Sequence, residues 1–324
     1  MKKYIFFVLI TTTIYSQDLQ NNQNLDSLAD IFSLEEITVD AIRAKNDTPV
    51  PFINISKKDI EKTNLGQDLP SLLKNTPSVI TTSDSGSGIG YSSIRVRGSD
   101  QSRVNVTING VPYNDSESMS VYWVNLPDFA SSIESIQIQR GVGTSTNGSA
   151  AFGGSVNIQT NAASEEASFE INNTLGSFNT IKNSVGFSTG FINDKFELSG
   201  RLSRIKSSGY IDRSGSRLNS YFLQAIFRDS NTLVKLLNFA GQEITDQAWF
   251  GIDSSKLNTN RKYNPAGEYY DSNGDTKYYD NQDDNYKQDH YQFHWNQSYG
   301  SGWISNFGLH YTYGRGFFEN YNLA

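Results

Sequence analysis

The sequence predicts an α+β domain followed by the first strands of an antiparallel transmembrane β-barrel. Three observations carry that expectation. The chain opens with the form of an export signal. Residues 48–162 mix short strand and helix patterns with glycine-rich turns. From Ala167 onward, strand-length runs alternate apolar with polar residues, and one face is rich in aromatics.

Size and charge narrow the possibilities. A chain of 324 residues accommodates two domains of ordinary size. A net charge of -7 lacks the basic footprint that nucleic acid requires, so no nucleic-acid partner is expected. Cysteine is absent, which excludes a disulfide, a thiolate metal site, a cysteine nucleophile and an acylated amino-terminal cysteine. The 18 Tyr, 19 Phe and 26 Gly, with only 19% charged residues, suit alternating strands better than apolar helices.

Lys2 and Lys3 form a basic start, residues 4–14 are apolar, and Ser16-Gln17 is a cleavage point, so residues 1–16 read as a signal peptide. The apolar run is too short to span a bilayer. No later run approaches the ~20 apolar residues of a membrane helix, so any later crossing is made by strands. Residues 17–47 read as a mobile segment. Within it Ile37, Val39 and Ala41 alternate with polar residues. Such a lone extended piece can add to the sheet edge of another protein, or can open the next domain as its first strand.

Residues 48–162 read as one compact unit. Residues 49–55 are strand-like, and Ser56 with Asp59 forms a capping pair for a helix to about Asn64. Residues 67–75 suggest a second helix with Leu69, Leu72 and Leu73 on one face, stopped by Pro77. Residues 83–93 form a Gly/Ser-rich loop. Strands are expected at 94–97, 104–108, 133–139 and 156–160, with a tight turn at Asn109-Gly110. The glycine-rich stretch 141–154 has neither the Lys-Ser/Thr of a phosphate loop nor dinucleotide spacing, so its glycines read as conformational.

Residues 163–324 supply about seven strands, near 167–176, 179–190, 194–206, 219–229, 232–242, 288–298 and 303–314. Phe196, Leu198, Gly200 and Leu202 oppose Glu197, Ser199, Arg201 and Ser203. Tyr291, Phe293 and Trp295 oppose His290, Gln292, His294 and Asn296, and Phe307, Leu309 and Tyr311 oppose Asn306, His310 and Thr312. A soluble sandwich alternates too, but an aromatic-rich outer face fits a membrane barrel. Residues 232–241 carry apolar side chains on both faces and leave that strand ambiguous. The segment 243–287 reads as a long extracellular loop. In it, Asp271 to Asp275 invites a calcium reading, yet position six is Thr276 and no Glu sits at position twelve; a hairpin about Asn273-Gly274 fits better.

Four elements then occur in order: Ile94-Arg95-Val96-Arg97-Gly98, Val106-Thr107-Ile108-Asn109-Gly110-Val111-Pro112, Ile133 through Arg140-Gly141, and Ala151-Phe152-Gly153-Gly154-Ser155-Val156-Asn157-Ile158. Together they resemble the plug motifs of the TonB-dependent outer-membrane receptors, of the kind common in Bacteroidetes. The resemblance implies that residues 48–162 are a plug domain and that 163–324 begin a barrel of 22 strands. A partial barrel leaves bare edges in hydrocarbon, so the chain is expected to be an amino-terminal fragment. Glu36, Ile37, Thr38 and Val39 stand where the family has its TonB box, and the resemblance implies that they pair with TonB. It also implies that Arg97 and Arg140 meet barrel-wall glutamates and lock plug to barrel.

The function implied is active uptake of a scarce nutrient across the outer membrane, energised by TonB, with an iron-siderophore chelate as the leading ligand. Cobalamin, haem, oligosaccharide or peptide import are the alternatives. So is a surface adhesin without transport, or a secreted enzyme with a β-sandwich. No catalytic constellation is present, and neither a cofactor nor a metal is called for. His290, His294 and His310 are candidate lumen contacts for ligand. His290 and His294 sit about 13 Å apart on one strand face, too far to chelate one ion together.

Overall fold

The computed structural model describes residues 43–142, 151–299 and 303–321. The signal peptide expected at 1–16 and the segment 36–39 lie outside the described residues. Among those described, no helix is long and apolar enough to cross a membrane.

The first unit holds strands β1 (Phe52–Ser56), β2 (Val79–Ser83), β3 (Ser92–Val96), β4 (Val104–Ile108), β5 (Val111–Pro112), β6 (Ile133–Arg140) and β7 (Gly154–Thr160), with short helices α1 (Lys57–Glu61) and α2 (Leu69–Leu72). Five strands form a sheet in the order β1-β6-β7-β4-β5, while β2 pairs with β3 alone. The β4/β7 pair is parallel and the rest are antiparallel. Alternate β-branched residues fill the core beneath the sheet, with Val96, Ile108, Ile136, Ile138 and Val156 fully buried. Arg43 and Ala44 are already tied to this sheet, Arg43 through Ser135 and Asn157, Ala44 through Gln137.

Two details differ from the sequence expectations. The helix expected at 67–75 is only α2, because i→i+3 bonds close the chain at Leu73 and Thr76 and Pro77 turns Thr76 away from helical geometry. Strand β2 was not anticipated, although Val79, Ile80, Thr81 and Thr82 have the β-branched composition that suits an edge pair. Helix α1 opens as expected: the Ser56 hydroxyl accepts from the Asp59 amide and donates to its carboxylate.

The second unit is a wall of seven antiparallel strands: β8 (Ala167–Gly176), β9 (Thr180–Thr189), β10 (Phe196–Ser207), β11 (Ser216–Asp229), β12 (Thr232–Asp246), β15 (Asp283–Ser298) and β16 (Ile304–Phe318). Links 177–179, 208–215 and 247–282 leave at one end, and 190–195, 230–231 and 299–303 at the other, so the longest lies with the first group. Within it β13 (Glu268–Tyr270) and β14 (Thr276–Tyr278) make the expected hairpin. Asp271 caps that turn by accepting from the Asn273 and Asp275 amides.

The wall is inverted relative to a soluble sheet. Along β10, Phe196, Leu198 and Leu202 are 53%, 46% and 64% exposed, whereas Glu197, Arg201 and Ser203 are 3%, 7% and 8% exposed. Apolar residues point away from the first unit and polar ones point toward it, as hydrocarbon outside demands. The ambiguous strand is explained by its neighbours. Leu233, Leu237 and Phe239 of β12 are buried inward, Leu237 and Phe239 against the core of the first unit, while Leu236 stays exposed. One outward row is polar on every strand: Asn173, Asn183, Arg204, Asn219, Gln242, Lys287 and Arg315 follow one another by cross-strand register. The rows nearer the short links carry the aliphatic and aromatic side chains.

Candidate functional site

The two units meet along a polar seam. Its centre is Asp128, held between two single 3-10 turns, Trp123–Asn125 and Phe129–Ser132, with a left-handed backbone (φ 53°). Its carboxylate is wholly buried and meets Lys182 of β9 at 2.5 Å and Arg201 of β10 at 3.0 Å. Ser131 donates to the same carboxylate, and Arg201 also donates to Ser132 and Ser220. Burial pushes the Asp128 carboxyl up. Arg201 and Lys182, with hydrogen bonds from Lys182 and Ser131, outweigh this and hold it below its ordinary value.

Further contacts extend the seam. Asn109 donates to Gln292, Tyr113 to Gln288, and Lys235 to the Asn161 carbonyl. Within the second unit, beside the seam, Arg228 grips Glu165 through two bonds of 2.8 and 3.1 Å and lies on the ring of Phe191. Phe129 packs its ring on Phe222 and Phe239, and a second apolar cluster joins Ile89 and Val124 of the first unit to Ile205 and Leu218 of the wall. Gly241 of β12 lets the units approach, because a Cβ there would come within 2.1 Å of the Asn125 carbonyl.

At the long-link end the seam opens into a cavity of about 440 Å³. Its lining includes Tyr91, Tyr113, Asp115, Glu117, Asn125 and Tyr122 from the first unit and Glu243, Asp284 and Tyr286 from the wall. The Tyr91 hydroxyl donates to Asp284 at 2.5 Å and lies 3.4 Å from Glu243. Burial, with the two carboxylates beside it, pushes the Tyr91 phenol far above its ordinary value.

The residues expected from sequence divide between the two ends of the first sheet. Arg97, Gly98, Arg140, Gly141, Gly153 and Gly154 gather at one end. There the Gly141 amide donates to the Gly153 carbonyl and the Gly153 amide to that of Arg103. Gly98 and Gly141 take φ 77° and 101°, and a Cβ on Gly154 would lie 2.5 Å from the Gln139 carbonyl. Among the described residues neither Arg97 nor Arg140 makes an ion pair, and the Arg140 Nε is buried without a partner. Arg95 is exposed on β3. Asn109 and Gly110 turn at the opposite end (φ 52° and 81°), where Asn109 ties Thr160 to the wall. His290 and His294 face the first unit and are 5% and 6% exposed. His290 stacks on Phe239 and bonds Thr312 and Gln288, and His294 bonds Gln292. His310 stands opposite Gln292 on the neighbouring strand and is exposed. Sequence reasoning did not single out Asp128, Lys182, Asn125, Glu243 or Asp284. For Lys182, Glu243 and Asp284 the available signal was a charged residue on the inward face of a wall strand; Asn125 and Asp128 lie at 3-10 turns, where no period marks them.

Residues 44–155 match the family model TonB-dependent Receptor Plug Domain. The Vitamin B12 transporter BtuB of Vibrio vulnificus is 30% identical over 198 residues, covering 61% of this chain and 30% of that protein. The Probable TonB-dependent siderophore receptor PirA of Acinetobacter baumannii is 30% identical over 158 residues, covering 45% and 21%. The crystal structure of the Ferric-Catecholate import receptor Fiu from E. coli K12 superposes with a TM-score of 0.63 at 16% identity, covering 83% of this chain and 39% of that one. That likeness is one of fold. The chain spans about a third of the length of the curated relatives it matches.

Proposed function

Since this chain belongs to the TonB-dependent outer-membrane receptors, with their plug domain at residues 44–155, we propose that it serves active uptake of a scarce nutrient, driven by TonB. An iron chelate of the siderophore type is the cargo in this reading. The seam is the observation that supports it most. A folded domain lies against the polar face of a membrane wall and is held by hydrogen bonds and a few ion pairs. Water can replace contacts of that kind when the domain is pulled, whereas a dry apolar interface would resist.

The pull enters through Glu36, Ile37, Thr38 and Val39, which add as a strand to TonB in this proposal. Backbone hydrogen bonds carry such a contact, so side-chain identity matters little and a lost donor matters much. Arg97 and Arg140 are proposed to meet acidic wall residues on strands beyond those described. Cobalamin is the second cargo, favoured by the similarity to BtuB.

The test is Ile37→Pro in the intact receptor. Ligand binding at the cell surface should persist while accumulation falls to background. Accumulation unchanged by the substitution would contradict coupling through residues 36–39, and surface binding without accumulation in the parent itself would favour an adhesin or receptor without transport. Growth of a receptor-deletion strain on single iron sources, and separately on limiting cobalamin, distinguishes the two cargoes.

A further inference from the structure

We propose that the outer face of the wall, near its long-link end, holds a phosphorylated glycolipid of the outer leaflet, with the phosphate on Arg204, Lys206 and Arg217. The inference goes beyond the transport reading and takes only the orientation from it, with the long links outward.

The three cations stand together without an acidic partner. Lys206 of β10 is directly opposite Arg217 of β11, and Arg204 lies on the same outward face two residues before Lys206. Such neighbours are about 5–8 Å apart. All three are exposed, and none makes an ion pair among the described residues. Asp246 is the acid beside Arg217, and its carboxylate accepts from the Gly215 amide instead. Lys287 and Arg315, farther along the row of Arg204, differ in sharing Asp289 at 3.6 and 2.6 Å. Like charges facing each other across two strands weaken a sheet. One phosphate between them turns the repulsion into attraction.

Their height is the second observation. Arg217 and Phe227 share the outward face of β11, about 33 Å apart along the strand at ~3.3 Å per residue. At the tilt of barrel strands that is about 25 Å along the membrane normal, the height of an apolar band. Phe196, Phe227 and Trp295 mark one edge of the band by register. The cations fall at the other edge, where lipid headgroups lie.

A groove continues from the cations into the band. About 440 Å³ in volume, it has Arg204 and Lys287 at its rim and Ile171, Val185, Leu202 and Ala240 below. A second hollow of about 580 Å³, nearer the short links, is lined by Leu198, Leu223, Leu236 and Leu309. A charged rim above an apolar floor fits a phosphate above acyl chains. Asn173, Asn183 and Asn219 stand in the row of Arg204. Their amides both donate and accept, which suits sugar hydroxyls and favours a glycolipid over a phospholipid.

The test uses the receptor purified intact from outer membranes and washed free of lipid in neutral detergent. Mixed micelles present lipid A with both phosphates, the same lipid with both removed enzymatically, or phosphatidylglycerol, and native mass spectrometry counts what is bound. The expected result is saturable binding of the phosphorylated lipid A, about tenfold or more tighter than either alternative and not displaced by excess inorganic phosphate. Arg204→Gln, Lys206→Gln and Arg217→Gln together should weaken it about tenfold or more. Lys195→Gln, an exposed change at the short-link end, should leave it unchanged. Equal binding of the phosphate-free lipid or of phosphatidylglycerol, displacement by inorganic phosphate, full binding in the triple variant, or an equal loss in Lys195→Gln overturns the proposal. Ile37→Pro should bind the lipid as the parent does, so transport and this site are judged apart.

Discussion

At the scale of single residues, Asp128 decides how the plug sits. Resemblance to the family implies plug arginines facing wall glutamates, proposed above on strands beyond those described; the described seam adds a plug carboxylate joined to wall Lys182 and Arg201. Removing one partner of a buried ionic group leaves the others uncompensated. Asp128→Ala should therefore weaken the plug's seating by about 3–5 kcal/mol, read as faster proteolysis of the plug in detergent. Replacing Asp128, Lys182 and Arg201 together by apolar residues should restore much of that loss. Because the Asp128 pKa is depressed in the fold, its contribution is complete above the unfolded value of about 4 and is lost as pH falls through the native one. Asp68 behaves in the opposite sense. Burial pushes its carboxyl well above the ordinary range despite bonds from Ser92 and Gly90, and its Oδ2 has no partner. The folded state keeps that proton longer than the unfolded one, so stability falls as pH rises from about 4 to the raised native value. Thermal melts of Asp68→Asn should accordingly gain on the parent as pH is raised from 5 to 8. A gap that stays constant would show that Asp68 does not titrate this way.

At the scale of elements, the strands of the wall and the helices of the plug differed in how readable they were. Each wall strand is visible because two solvents, hydrocarbon and a polar interior, write a period of two into its side chains; β11 shows it without interruption, and β10 breaks it at Gly200, which is buried beside Arg201. Where the plug core itself presses on the wall, at Leu237 and Phe239, the inner face turns apolar and the period blurs. Plug elements are shorter, and local turn chemistry overrode the apolar pattern around α2. The Asp128 cluster joins residues 54 and 73 positions apart, a pairing that no local pattern encodes. Gly241 belongs to the same problem, since its reason is the Asn125 carbonyl lying against it. Gly241→Val should destabilise the seated plug by about 1–3 kcal/mol, measured as a lower denaturant midpoint for loss of plug protection, with the wall strands still formed.

At the scale of the molecule, the account needs a wall whose outer face meets lipid and whose inner face meets the plug. The absence of cysteine makes this open to a single-site scan, since one introduced Cys carries one spin label. Labels placed in turn from 221 to 226 along β11 would sample Leu223, 41% exposed outward, and Gln224, 1% exposed against the plug. In membranes, collision with dissolved oxygen should be frequent at 221, 223 and 225. At 222, 224 and 226 it should be rare, and a water-soluble nickel chelate should be excluded from the whole middle of the strand. Free access of nickel at 223 and 225, with no alternation in the oxygen signal, would contradict a lipid-facing wall and with it the seating of the plug.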